Sequence, residues 1–235
     1  MFTKSKLMKE QGNCVESLIQ YCTKIIDKKK YKNGDTRTRT LANIRSFGYN
    51  SVAMLSLLDG MERGNTGLRT LIPNLLGMQN PKAKDIKMMN RILHRTSKLS
   101  LIVLGQFQIE NCLVLISKAI GIKLRNGFYN ISKDLLDELG LNKDKIDVIN
   151  TGALIRNSLH SNGIHHGFSG SDFSSKIDGI NYKFKHGKKV SCATYPHIAH
   201  ALEGSLNVLD EIFNTAKVMS QATLEDQYIP KQTIK

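Results

Sequence analysis

Cysteine is scarce in this chain and never paired. Cys14, Cys22, Cys112 and Cys192 stand apart with no Cys-x-x-Cys among them, so neither a disulfide framework nor a zinc ribbon is supported, and a reducing cytosol fits. Aromatic residues make up only 6% of the chain, and no aromatic-rich sheet signature of an RNA-recognition domain occurs. No Gly-rich phosphate loop with its lysine is present. His166-Gly167-Phe168-Ser169-Gly170 lacks the Gly-x-Ser-x-Gly spacing of a nucleophile elbow, so kinase, dinucleotide and hydrolase readings fall away. The basic opening, Met1 to Lys6, has neither an apolar core nor a small-residue cleavage site, so no secretory signal is expected. The most apolar run, Leu99 to Ile116, is interrupted by Gln106, Gln108, Glu110 and Asn111, which argues against a membrane span. The expectation is a cytoplasmic protein without a membrane partner.

Acidic residues are the other shortage. The 235 residues hold 34 Lys plus Arg against 20 Asp plus Glu, a formal charge of +14. That balance favours a polyanionic partner, with nucleic acid first, because the excess is clustered. Residues 1–40 carry ten basic against four acidic side chains. A second basic surface is expected from Lys82, Lys84, Lys87, Arg91, Arg95 and Lys98. The histidines include an i, i+3 pair, His197 and His200, but no cysteine or carboxylate completes a metal-ligand spacing. Neither metal nor cofactor is expected.

Apolar residues recur at helical spacing along most of the chain. Val15, Leu18, Ile19, Cys22, Ile25 and Ile26 predict a helix from about Asn13 to Lys30, and Leu41, Ile44, Val52, Leu55 and Leu58 a second from about Arg39 to Met61. Arg37 and Arg39 would extend the basic cluster at its start. Gly64, Gly67, Pro73, Gly77 and Pro81 break the next stretch, leaving a short or broken helix. From Asn80-Pro81 to Ile120 the periodicity supports one long helix, or two broken near Thr96-Ser97. A short helix from Ser132 to Gly140 and another from about Lys143 follow. Residues 161–175, rich in Gly, Ser and His, read as a mobile loop. Ile180, Tyr182 and Phe184 alternate with polar residues, His186-Gly187 suggests a turn, and Lys188 to Cys192 a returning strand. Pro196 opens a last long helix. The fold class is therefore mainly α, a helical bundle with a β-hairpin before the last long helix. Residues 1–80 are expected as an N-terminal helical extension, 81–222 as a helical core with the hairpin near 177–193, and 223–235 as a flexible tail.

One helix carries charge on its apolar side. In Val148 to Gly163, Arg156 and His160 project within about 40° of each other, in line with Ile149 and Ala153. A guanidinium there must be paired, hydrogen-bonded or open to a cleft. Glu110, set in the apolar part of the long helix, is the obvious ion-pair partner; the pair could hold Arg156 in a catalytic pose or simply neutralise it. Asn162-Gly163 is a helix stop.

The segment Arg156-Asn157-Ser158-Leu159-His160, after an apolar helix, resembles the signature helix of the HEPN superfamily, small helical proteins common in microbial defence and toxin systems. The resemblance implies a HEPN-like helical core and a metal-independent ribonuclease site in which Arg156, Asn157 and His160 match the family's arginine, polar residue and histidine. It also implies a homodimer that brings two such sites together, RNA as substrate, and a context in which an antitoxin or defence-complex protein is a partner. The spacer between Arg156 and His160 is three residues, shorter than is usual in that family. Glu110 and His165 are supporting candidates. Lys183, Lys185, Lys188 and Lys189 on the hairpin, with Arg91 and Arg95, are the candidate nucleic-acid contacts. A catalytically silent HEPN-like module that binds nucleic acid or a partner protein is the alternative.

Overall fold

The computed structural model describes residues 4–225. Among them, eight helices and one hairpin run in the order α1 (Lys4–Lys29), α2 (Thr36–Glu62), α3 (Thr66–Leu75), α4 (Ala83–Ala119), α5 (Phe128–Glu138), α6 (Asp144–His160), β1 (Phe173–Ile177), β2 (Ile180–Phe184), α7 (Tyr195–Phe213) and α8 (Ala216–Met219). The architecture is a mainly α bundle with a short antiparallel hairpin before the last long helix.

α1 buries Val15, Leu18, Ile19, Cys22 and Ile25 in the same core that receives Leu41, Ile44 and Leu55 of α2. It begins nine residues before the predicted Asn13 start, and Asn13 itself is an exposed mid-helix residue. Lys28 and Lys29 in its last turn suit the negative end of the helix dipole. α2 is capped by Asp35, which accepts a 2.8 Å hydrogen bond from the Arg37 amide. α3 is short, with Pro73 inside it. α4 is one unbroken helix of 37 residues. It is long and apolar enough to span a bilayer by length and composition, and half of its most apolar window is buried inside the bundle. α2, α6 and α7 pack on it, and α1 and α6 pack on α7. α1 and α2 thus share one apolar core with α4, α6 and α7.

Three expectations are corrected. The hairpin stands one strand earlier: β1 pairs β2 from Phe173↔Phe184 to Ile177↔Ile180, and Lys188 to Cys192 is not its second strand. The connection is Asp178-Gly179, with φ of 43° and 88°, the left-handed pair that a two-residue hairpin turn requires and that Asp-Gly adopts at low cost. Arg37 is no part of a basic surface, being 1% exposed in a salt bridge to Asp35. Nor does the chain leave the body at Thr223. Leu224 is 3% exposed, its amide donates to Asp35 Oδ2 at 3.0 Å, and its carbonyl accepts from the Thr36 amide at 2.8 Å. The rest of the expected flexible tail, residues 226–235, lies outside the described residues.

Candidate functional site

α6 places the site because its two faces differ. Ile146, Ile149, Thr151, Gly152, Ala153, Ile155 and Ser158 are buried, so the helix is fixed against α4, α7 and β1. Asp144 and Asp147 in the first turn and His160 in the last suit the helix dipole. The Gly163 amide bonds the Ser158 carbonyl at 2.7 Å, with Asn162 and Gly163 at φ 55° and 82°, which stops the helix directly after His160.

Arg156 meets Glu110 across the α4–α6 contact, Nη1 to Oε1 at 2.5 Å, and both side chains keep 20% of their surface open to solvent. Its Nε donates to Asn157 Oδ1 at 3.1 Å. The guanidinium is thus held on two edges while part of its fork faces water, an arrangement that leaves N–H groups for a phosphate oxygen. Asn157 and His160 are exposed, and His160 has no hydrogen-bond partner among the described residues.

A further member of this group, unmarked by the sequence reading, is Gln106. It is fully buried one turn before Glu110 on α4, and its Nε2 lies 3.4 Å from Glu110 Oε1. α6 accommodates it at Gly152, where a Cβ would fall 2.3 Å from Gln106 Oε1. Two signals in the sequence point there: a Gln/Glu pair at i, i+4 in an apolar helix, and a glycine one turn before Arg156.

The loop after α6 is stitched down. Ile164 bridges Lys189, the His165 amide donates to the Lys188 carbonyl at 3.0 Å, the Gly187 amide to the His165 carbonyl at 2.8 Å, and the Val190 amide to the Gly163 carbonyl at 2.9 Å. Lys188 and Lys189 are thereby tied within five residues of His160, and Lys183, Lys185, Lys188 and Lys189 are all exposed. The same stitching turns His165 inward and His166 outward. His165 is 2% exposed, packs on the Phe184 ring at 5.4 Å, and leaves Nε2 without a partner. Burial pushes its pKa down, helped by the neighbouring imidazoles of His186 and His166 and opposed by the Ser171 backbone and Asp172. It is a packed histidine rather than one open to a ligand. Arg91 and Arg95 are exposed but lie roughly 22 to 29 Å along the α4 axis from Glu110, so they belong to a separate surface.

Among the described residues no group of three or more His, Cys, Asp or Glu is arranged to hold a metal ion. No family model, curated protein or solved structure matches this chain. These comparisons identify no family, and the expected HEPN resemblance rests on the Arg156 to His160 segment of the sequence.

Proposed function

We propose that this protein is a metal-independent endoribonuclease of HEPN type, acting in a microbial defence or toxin–antitoxin setting. The observation that carries the reading is the partly open Arg156 guanidinium, braced by Glu110 at 2.5 Å and Asn157 at 3.1 Å, one helical turn before the exposed imidazole of His160.

RNA supplies its own nucleophile, so the protein has to place the 2′-hydroxyl in line, stabilise the developing phosphorane charge and move two protons. Arg156 holds the non-bridging phosphate oxygens. One imidazole takes the 2′-hydroxyl proton as the oxygen attacks phosphorus; the bond to the 5′-oxygen breaks, and a second imidazole protonates that leaving oxygen. The products are a 2′,3′-cyclic phosphate and a free 5′-hydroxyl. One His160 cannot serve as both base and acid in a single step, so the reading requires a homodimer in which two copies of α6 face one phosphate. Lys188 and Lys189, exposed beside the helix end, and Lys183 and Lys185, exposed on the hairpin side, bind flanking phosphates. An antitoxin or other defence-complex protein covering this face would restrain the activity.

The test is incubation of purified protein with single-stranded RNA in excess chelator. Cutting is expected to persist, to leave cyclic phosphate ends, and to fall by about 10²-fold or more in Arg156→Ala and in His160→Ala. Undiminished cutting by rigorously purified variants rules the assignment out.

A second reading is a catalytically silent HEPN-like module that binds nucleic acid or a partner protein. It is favoured by the engagement of both Nη1 and Nε of Arg156 within the chain and by the three-residue spacer to His160. Wild-type protein that retains RNA but never cuts it, in any oligomeric state, selects this reading.

A further inference from the structure

Away from α6, α3 and the first half of α4 carry large apolar side chains that stand open to solvent. Leu71, Leu75 and Leu76 are 51%, 72% and 54% exposed, and Met88 and Ile92 are 57% and 54% exposed. In α3 only Pro73 is buried, and Leu71 and Leu75 project roughly 160° away from it, so both point out of the bundle. Met88 and Ile92 stand one turn apart on α4. A single exposed leucine is ordinary, but a group of such side chains in one stretch of chain marks a surface that meets something apolar.

Cations surround these knobs. Residues 66–98 hold seven Lys or Arg against a single acid, Asp85, and that carboxylate is engaged at the start of α4, where its Oδ2 accepts from the Lys82 amide at 3.0 Å. Lys84, Arg91 and Arg95 are exposed and share with Met88 one stripe of α4, all four within about 60° about the helix axis. The stripe is roughly 16 Å long. Arg69 of α3 lines one cavity together with Ala83, Ile86 and Lys87 of α4, which sets the two helices side by side. The exposed apolar groups and the cations therefore occupy one end of the molecule.

We propose that this end of the molecule docks on the surface of an anionic lipid bilayer. Leu71, Leu75, Leu76, Met88 and Ile92 enter the boundary between headgroups and acyl chains, while Lys84, Arg91 and Arg95 reach lipid phosphates with their stems laid along the apolar groups. An RNA backbone would use the cations and leave the leucines in water. A second copy would set like charge against like charge. A partner helix needs a groove, whereas side chains more than half exposed stand out as knobs, a shape that a fluid surface accepts. The contact is peripheral, and it departs from the expectation, drawn from the sequence, of a chain without a membrane partner. It lies apart from Arg156 and His160 and does not depend on what α6 does.

The experiment is co-sedimentation of the full chain with vesicles of phosphatidylcholine alone or mixed with phosphatidylglycerol. Binding is expected only to the anionic vesicles, weakening as salt rises. Leu71→Asp with Leu75→Asp should weaken it by about tenfold or more, as should the triple reversal Lys84→Glu, Arg91→Glu, Arg95→Glu, both at unchanged Tm because every one of these side chains is exposed. Reversal of the exposed Lys24, Lys30 and Lys32, the same change of charge elsewhere, should matter far less. The chain has no tryptophan, so Leu75→Trp supplies a single indole whose emission should move to the blue on anionic vesicles. The proposal is overturned if no binding occurs by about 1 mM lipid, or if neutral vesicles bind as well as anionic ones. It is equally overturned if the leucine pair is neutral, or if the control reversal costs as much as the α4 reversal, which would reduce the contact to overall charge. An indole that responds to single-stranded RNA but not to vesicles assigns the surface to nucleic acid, and one already shifted in a lipid-free dimer assigns it to a second copy; either result also overturns the proposal.

Discussion

Arg37 and Arg156 each meet a carboxylate inside the bundle, and their surroundings differ in one respect. Arg37 is sealed. Its Nε and Nη2 reach Asp35 at 2.9 and 2.7 Å, Nη1 reaches the Val218 carbonyl at 3.2 Å, Nη2 the Gln221 carbonyl at 3.1 Å, and the guanidinium lies 3.8 Å over the Tyr31 ring. Burial works against its charge, but Asp35 more than offsets that and holds its pKa above the ordinary arginine value. Arg156 has one carboxylate and one neighbouring amide, and its side chain keeps 20% of its surface open to solvent. The first arginine staples the C-terminal segment to the start of α2; the second keeps donors unspent. An inward cation becomes a chemical tool only where the chain withholds some of its hydrogen-bond partners, and α6 ends before supplying them.

Removing the partner carboxylate is the sharpest way to break this comparison. Asp35→Ala should cost about 3–5 kcal/mol, because it strands a buried guanidinium, and should release residues 218–224 to proteolysis. A loss below about 1 kcal/mol in urea unfolding would show that Arg37 is not sealed as described. Next in size is the contact that sets the spacing of α4 and α6. Gly152→Ala places a Cβ 2.3 Å from Gln106 Oε1 and should destabilise by about 1–3 kcal/mol. The effect should shrink in a Gln106→Ala background, and a purely additive double-mutant cycle refutes the contact.

Glu110→Gln should be milder still, below about 1 kcal/mol in stability, since its partner is partly solvated. If Arg156 is braced for RNA, this variant raises KM or lowers kcat while Tm barely moves; equal activity would mean that the ion pair only neutralises.

The smallest effect concerns protons. Burial lowers the pKa of His94, His165 and His197, so the unfolded chain takes up protons that the folded chain declines. Their contribution to stability is complete above the unfolded value near ~6.5 and is lost as pH falls through the lower folded values. Unfolding free energy should therefore decline from pH 7.5 toward 5.5, roughly over the histidine range, and His94→Gln with His165→Gln should flatten that slope. A slope that is unchanged in the double variant argues against the assignment.

Much of the bundle is legible in the residues. The Val15 to Ile25 stripe, the α7 periodicity after Pro196 and the Asn162-Gly163 stop each encode one local preference, and the structure follows it. So is the Arg156–Glu110 pair, because an acid and a base in two apolar helices have few other places to go. The hairpin register escaped because two glycine turns competed, and Asp178-Gly179 won by letting β1 supply the partner for Tyr182 and Phe184. His165 and His166 are adjacent and alike in sequence, and only the backbone ladder to residues 187 and 188 decides which one is buried.

What the sequence by itself determined is the helical periodicity, the basic excess and the alignment of Arg156 with His160 on one side of a helix, since all three follow from composition and from the turn angle of the backbone. Tertiary structure alone decided which arginine is closed and which stays partly open, and that Leu224 returns to Asp35. Those outcomes depend on groups distant in the chain competing for the same donors and acceptors, and short-range pattern carries no record of which of them wins.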